Sequence, residues 1–129
     1  ITVHGVDVDA HLDRDLSIPV LSGPQCQGDV SVLPVTTAHP GALVPAAGVA
    51  VVRGESGGNP HLLLAAGGGV TWAPAGPGDG DLVCGHVTVP AGATAYLAHP
   101  EHGYTGIAPG SYRIGRQREW AGQWRTVAD

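Results

Sequence analysis

Short apolar runs, each stopped by Gly, Pro or a polar turn, recur along the chain from Gly28 onward. Runs of this kind indicate β-strands, and strands at such short intervals are typical of sandwiches and small barrels. Helical periodicity is nearly absent, because no long window carries apolar residues at helical spacing without a Gly or Pro inside it. The pattern predicts strands at residues 30–35, 49–53, 61–65, 70–73, 82–89, 93–99 and 111–120. The two that flank Gly67-Gly68-Gly69 are expected to form a hairpin.

The first 24 residues differ from the rest. They contain a short alternating piece, an acidic stretch and the apolar segment Ile18-Pro19-Val20-Leu21, and they end in Ser22-Gly23-Pro24. Exposure of an apolar segment to water is unfavourable, so we expect residues 16–21 to dock on the body or on a neighbouring subunit. With 129 residues the chain has the length of one domain. The sequence thus predicts an N-terminal arm over residues 1–24 and a single all-β domain over 25–129, a jelly-roll-like sandwich or small barrel.

Composition refines this picture of the core. The chain has 21 Gly and 11 Pro, a level at which disorder becomes an alternative to folding. Because these residues stand between β-branched runs, we interpret them as turns. There is no Phe and no Met, which predicts an aliphatic core supplemented by three Trp and three Tyr.

Charge restricts the possible partners. Only 13% of the residues are charged, all six basic residues are Arg, and the formal net charge is −5. This excess of negative charge argues against electrostatic binding to nucleic acid or to an anionic membrane. No apolar stretch is long enough to span a bilayer, so we expect a soluble protein, with a cytoplasmic location favoured. Ile1 is an unusual first residue, and we expect that residues before it have been removed or omitted; a cleaved signal stays open.

Two further features leave alternatives open. Cys26 and Cys84 are far apart and lack metal-type spacing, so they fit one disulfide as well as two buried thiols. Cys84 and His86 occupy alternate positions of one predicted strand, but a buried Cys beside a surface His explains that spacing better than an activated nucleophile does.

A surface for association is the leading functional hypothesis. Acidic residues crowd the start of the chain and Arg residues its end, so the two ends can attract each other or remain solvated. If the last strand is extended, Arg116 and Arg118 share a face with Trp120. We expect a non-enzymatic domain without a cofactor that forms a homo-oligomer or binds a protein partner. The predicted interaction residues are Ile18, Val20, Leu21, Arg116, Arg118, Trp120 and Trp124.

The alternative hypothesis is a metal site. The chain has seven His, and the segment His99-Pro100-Glu101-His102 holds two of them close together. Because metal sites use three or four protein donors, a second segment must contribute, and Glu55 with His61 is its natural source. The set Glu55, His61, His99 and His102 at one rim of the barrel would suit a single divalent transition metal, in a small enzyme or a metal-binding protein. Solvated loop residues are the competing explanation.

Several segments together resemble a family of small uncharacterised bacterial and phage-borne proteins. They are Gln27-Gly28-Asp29-Val30, Gly54-Glu55 with His61 downstream, His99-Pro100-Glu101-His102, Pro109-Gly110-Ser111-Tyr112, Arg116-Gln117-Arg118-Glu119-Trp120 and the final Val127-Ala128-Asp129. The resemblance covers residues 25–129 and implies no established activity. Its segments Gly-Glu-x-x-Gly-His-x-His and His-x-x-His suggest a metal. Here Asn59 stands where the first of those segments has a His, which weakens the implied ligand set.

Residues 85–99, with the turn Pro90-Ala91-Gly92, also resemble the second motif of the cupin barrels. Ala95 stands where that motif presents a metal-binding His. This resemblance therefore implies a jelly-roll-like architecture and no ligand.

Overall fold

A computed structural model describes residues 18–52 and 59–116, together with four short strands outside those ranges. It contains two main β-sheets packed face to face, which confirms the predicted all-β class. In the described ranges the sheets do not close into a barrel, so the architecture is a sandwich. That part of the chain contains no helix with the length and apolar character of a membrane span.

Among the described residues, fifteen strands, numbered in chain order, make up four sheets. The six-stranded sheet has the order β4 (Gln25–Gln27), β5 (Val30–Pro34), β13 (Gly110–Arg116), β10 (Val83–Val89), β9 (Thr71–Pro74) and β6 (Ala42–Leu43). The five-stranded sheet has the order β3 (Val20–Leu21), β12 (Gly103–Ile107), β11 (Thr94–His99), β8 (His61–Ala66) and β7 (Val49–Val52). Two small sheets pair β1 (Thr2–Val3) with β2 (Val6–Asp7) and β14 (Arg118–Trp120) with β15 (Trp124–Thr126).

The core lies between the two large sheets and is mainly aliphatic, as the composition predicts. Alternate residues of each strand face it, because successive side chains of a strand point to opposite faces. Its buried members are Val30, Val32, Val51, Val52, Leu63, Val70, Trp72, Val87, Val89, Ala93, Ala95, Leu97, Ile107, Tyr112 and Ile114. Trp72 and Tyr112 are the aromatic members of this cluster.

The prediction of a hairpin around Gly67-Gly68-Gly69 is wrong. Strand β8 pairs with β7 and β11, whereas β9 pairs with β10 and β6, so the glycine turn carries the chain from one sheet to the other. The core explains the difference. Leu63 and Trp72 are both buried in it from opposite sheets, an arrangement that a hairpin within one sheet cannot provide.

The apolar segment before residue 24 docks on the body of its own chain. Strand β3 pairs in parallel with β12, with Val20 opposite Gly106, and Ile18 packs against Leu64 and Tyr96 on the outer face of the five-stranded sheet. A side chain at Gly106 would place its Cβ 2.5 Å from the carbonyl oxygen of Pro19, so the close approach of the segment requires a glycine. Docking is confirmed for the described residues from Ile18 to Leu21. The division of the chain at residue 24 stays a prediction.

The turn that leads into β13 is held by a tyrosine. The Tyr112 hydroxyl donates to the carbonyl of Ala108 at 2.7 Å and lies 3.3 Å from that of Pro109. Burial raises the pKa of Tyr112 above its usual value, which keeps this donor protonated. The Pro109-Gly110-Ser111-Tyr112 segment is thus a turn with its own anchor.

Ile114→Ala tests the position of the core. Ile114 is fully buried, and its truncation should lower the free energy of unfolding by about 2–5 kcal/mol, from lost burial and the cavity left behind. Leu43→Ala is the control, because Leu43 is 69% exposed. Urea denaturation should show a change within about 0.5 kcal/mol for that variant. Equal effects of the two substitutions would contradict the described core.

A candidate histidine site at one end of the sandwich

Three histidines that are distant in sequence converge at one end of the sandwich. His61 begins β8, His99 ends β11, and His102 lies in the turn between β11 and β12. The ring centroids are 4.4 Å apart for His61 and His99, 4.6 Å for His99 and His102, and 5.8 Å for His61 and His102. The register of the sheet produces this convergence, because β8 and β11 are paired neighbours and both rings lie at the same end of that pair.

A buried glutamine from the opposite sheet holds the cluster together. Gln27 is 4% exposed, and the two N–H groups of its amide Nε2 are shared among three acceptors: the carbonyls of Leu97 (2.9 Å) and Gly103 (3.1 Å) and the Thr105 hydroxyl (3.0 Å). These three oxygens fix the orientation of the amide, so its Oε1 must face His61, whose Nδ1 lies 2.8 Å away. Gln27 therefore joins the edge of the six-stranded sheet to three strands of the other one.

This contact determines the tautomer of His61. An amide oxygen only accepts hydrogen bonds, so His61 must carry its proton on Nδ1 and donate it to Gln27. In the neutral ring Nε2 then carries the lone pair, and it is the nitrogen capable of binding a proton or a metal ion. His61 is fully buried, so its ring has one fixed orientation.

His99 has a different role. Its Nδ1 accepts hydrogen bonds from the backbone N–H groups of Glu101 (3.1 Å) and His102 (3.4 Å), and its Nε2 donates to the carbonyl of Asn59 (3.2 Å). Both ring nitrogens are thus engaged with backbone. His99 fastens the 100–102 turn to the segment that precedes β8 and so positions His102 beside His61.

The fourth predicted metal ligand, Glu55, lies outside the described residues. The described residues on either side of it are Val52, which ends β7, and Asn59, two residues before β8 begins. Val52 is the register partner of His61, and the Asn59 carbonyl contacts His99, so both ends of the segment are at the cluster. Within residues 18–52 and 59–116, no group of three His, Cys, Asp or Glu side chains is arranged as a complete ligand set.

A buried ion pair lies at the same end of the six-stranded sheet. Asp29, in the turn after Gln27, is 4% exposed, and its carboxylate is 3.5 Å from Nε of Arg116. Arg116 is the register partner of Val30, so the turn and the last residue of β13 meet there. Burial raises the pKa of the nearby Cys84 thiol, an effect that the Arg116 charge opposes and the Asp29 charge reinforces. Cys84 is therefore a poor nucleophile at neutral pH.

The predicted interaction residues whose side chains are described differ in their surroundings. Ile18 is partly buried in the outer apolar cluster, while Val20 and Leu21 are 42% and 45% exposed on the edge strand β3. Arg116 is engaged with Asp29. The side chains of Arg118, Trp120 and Trp124 are not among those described, although Trp120 and Trp124 are register partners in the β14–β15 pair. Association remains a prediction.

Sequence reasoning missed Gln27, Asp29 and the structural role of His99. A signal for the first two was present, because Gln27-Gly28-Asp29-Val30 places polar residues on both sides of a tight turn next to an apolar strand. Strand pairing brings Gln27 opposite Val30 and makes Gly28-Asp29 a two-residue turn. The sequence does not show that the glutamine side chain reaches across the sandwich.

The fold and this end of the molecule define an all-β sandwich domain with a histidine cluster that is organised by a buried amide. The chain belongs to the family described as Domain of unknown function (DUF8820), whose model matches residues 26–117. That range begins at β4 and ends just past β13, so it includes Gln27, the three histidines and the ion pair. A search of curated proteins found no match. A search of solved structures found none either.

Gln27→Leu tests the central role of the amide. The substitution removes the donor to three oxygens and leaves the buried Nδ1–H of His61 without its acceptor. The free energy of unfolding should therefore fall by about 3 kcal/mol. Gln25→Leu is the matched control, because Gln25 lies on the same strand, is less buried and donates to the Gly106 carbonyl. It should cost about 1 kcal/mol in the same urea titration. If both variants cost the same, Gln27 is not the organising residue.

Proposed function

We propose that the histidine cluster binds one divalent transition-metal ion, with His61 and His102 as its imidazole ligands. The observation that carries this proposal is the fixed tautomer of His61 inside a group of three converging histidines. Imidazole nitrogen is a preferred ligand for zinc, copper, nickel and iron, whereas Mg²⁺ and Ca²⁺ prefer oxygen. The proposal concerns metal binding, and no reaction is assigned to the site.

The environment of His61 supports its role as a ligand. A metal-binding histidine commonly donates its other ring N–H to a fixed acceptor, which orients the ring and raises the basicity of the ligating nitrogen. The Nδ1–H of His61 has such an acceptor in Oε1 of Gln27, which is itself held by three further hydrogen bonds. The amide therefore orients His61 Nε2 as a donor.

His102 is our prediction for the second ligand. Its ring is nearly parallel to that of His61, with an angle of 9° between them, and its residue is exposed. A metal bound there is reachable from solvent. Glu55 is our prediction for a third donor, since both ends of its segment meet the cluster. An open metal site commonly has three protein ligands and one further position that is filled by water.

Titration of the untagged full chain with Co²⁺, followed by its visible absorption and then by competition with Zn²⁺, tests the proposal. We expect one metal ion per chain. His102→Ala should weaken binding by at least about tenfold, equivalent to about 1.4 kcal/mol, because it removes one ligand without disturbing the buried residues. Glu55→Gln should also weaken it. Asn59→His should strengthen it by adding an imidazole next to the cluster.

His39→Ala is the matched control, because His39 lies in an exposed loop and stacks on the six-stranded sheet away from the cluster. Its metal affinity should equal that of the unaltered chain. Absence of binding at about 1 mM metal would refute the proposal, and so would equal losses of affinity in the His39 and His102 variants. Light scattering on the same samples measures the oligomeric state, which tests the association hypothesis separately.

A further inference from the structure

A seven-residue strap crosses the outer face of the six-stranded sheet. Residues 35–41 connect β5 to β6, and in the sheet order these strands are separated by β13, β10 and β9. The strap is anchored at one end by the Val35 N–H, which donates to the Ser111 carbonyl. At the other end Gly41 lies so close to Trp72 that a Cβ there would be 2.4 Å from the Trp72 carbonyl oxygen. Between these anchors residues 36–40 are exposed.

His39 lies on the sheet by stacking on His86. The two ring centroids are 3.7 Å apart and the rings are inclined by 17°. His86 points away from the core, since its neighbour Val87 is fully buried in it, yet His86 is only 6% exposed. The strap therefore gives His86 cover that its place on the outer face would not otherwise provide.

The surroundings of His86 make a proton on that ring unfavourable. Arg113 of β13 and Ala73 of β9 are the register partners of His86 on its two sides. Asp79, in the 75–82 loop, carries a negative charge that favours the protonated form of His86. Burial is the main cause that lowers the pKa of His86, and His39 and Arg113 lower it further, while Asp79 acts against them. At neutral pH the stack is thus formed by a neutral His86.

We propose that the strap is acid-sensitive: protonation of the stacked pair His39 and His86 separates their rings and releases residues 36–40 from the sheet. Two cations at stacking distance repel each other, and Arg113 adds to the repulsion. Hydration of His86 then replaces the stack. Histidine is the side chain whose charge ordinarily changes in the mildly acidic range, so the change falls below neutral pH.

The direction of the pH effect follows from linkage. Because folding lowers the pKa of His86, the unfolded chain and the released strap bind the proton more readily than the stacked form does. The stack therefore stabilises the molecule fully above about pH 6.5, and this contribution declines as the pH falls below that value. Acid favours release of the strap and neutral pH favours its closure.

NMR on the full chain tests this proposal through the nuclear Overhauser effect between the two imidazole rings. We expect the signal at about pH 7.5 and its loss at about pH 5, in step with the titration of His86. In His39→Phe the ring is kept but cannot be protonated, so the contact with His86 should persist to lower pH. His102→Phe, in metal-free buffer, is the control: the pH dependence of the contact between His39 and His86 should be the same as in the unaltered chain, because His102 lies in the other histidine cluster.

Three results would overturn the proposal. One is a contact between the rings that persists while His86 becomes protonated. Another is the same pH-dependent loss of contact in His39→Phe as in the unaltered chain. The third is the absence of any His86 titration before the whole domain unfolds in acid, which spectra of the core Trp72 and Tyr112 would report independently.

Discussion

The amide of Gln27 is the interaction on which this end of the molecule depends. An open sandwich leaves backbone carbonyls and buried polar side chains at its ends, and each of these needs a partner, because an unpaired buried polar group costs about 1–3 kcal/mol. One side chain satisfies carbonyls of β11 and β12, the Thr105 hydroxyl and the Nδ1–H of His61. The same contacts that close the sandwich therefore also fix the chemistry of His61.

The two histidine groups show how environment separates residues of one type. His61 and His99 are both buried, but their partners differ: the Gln27 side chain accepts from Nδ1 of His61, whereas both nitrogens of His99 contact backbone groups. His86 is buried under an aromatic neighbour, close to an arginine. Counting histidines along the sequence treats all of these as equivalent donors.

Much of the fold could be predicted from periodicity. The strand predicted at 82–89 is observed at 83–89, and that at 93–99 is observed at 94–99, because Pro and Gly mark their ends. The pairing of β8 and β9 with different sheets could not be predicted, since local pattern does not specify which strands are neighbours. Strands β3, β4, β6 and β15 were missed because two or three residues carry no periodic signal, and β12 was missed because two of its five residues are Gly. The single strand predicted at 111–120 is observed as two strands, β13 and β14, which belong to different sheets.

Prediction of the site was also uneven. The sequence groups His99 with His102 through their spacing, and the pairing of β8 with β11 brings His61 to them. The choice of ligand could not be predicted, because it depends on hydrogen bonds between residues far apart in the chain. The role of Gln27 depends on packing of one sheet on the other, and no local pattern encodes that distance.

The long sequence separations around Gln27 have a consequence for how the domain folds. Gln27 is separated from His61 by 34 positions in the sequence. It is separated from Leu97, Gly103 and Thr105 by 70, 76 and 78 positions. Contacts of such high contact order form slowly, because the entropy of closing long loops is lost before they contribute stability. The amide can reach its partners only once both sheets are assembled. A nascent chain released before β12 is complete has its histidine cluster unformed, so this end of the domain is a late product of folding.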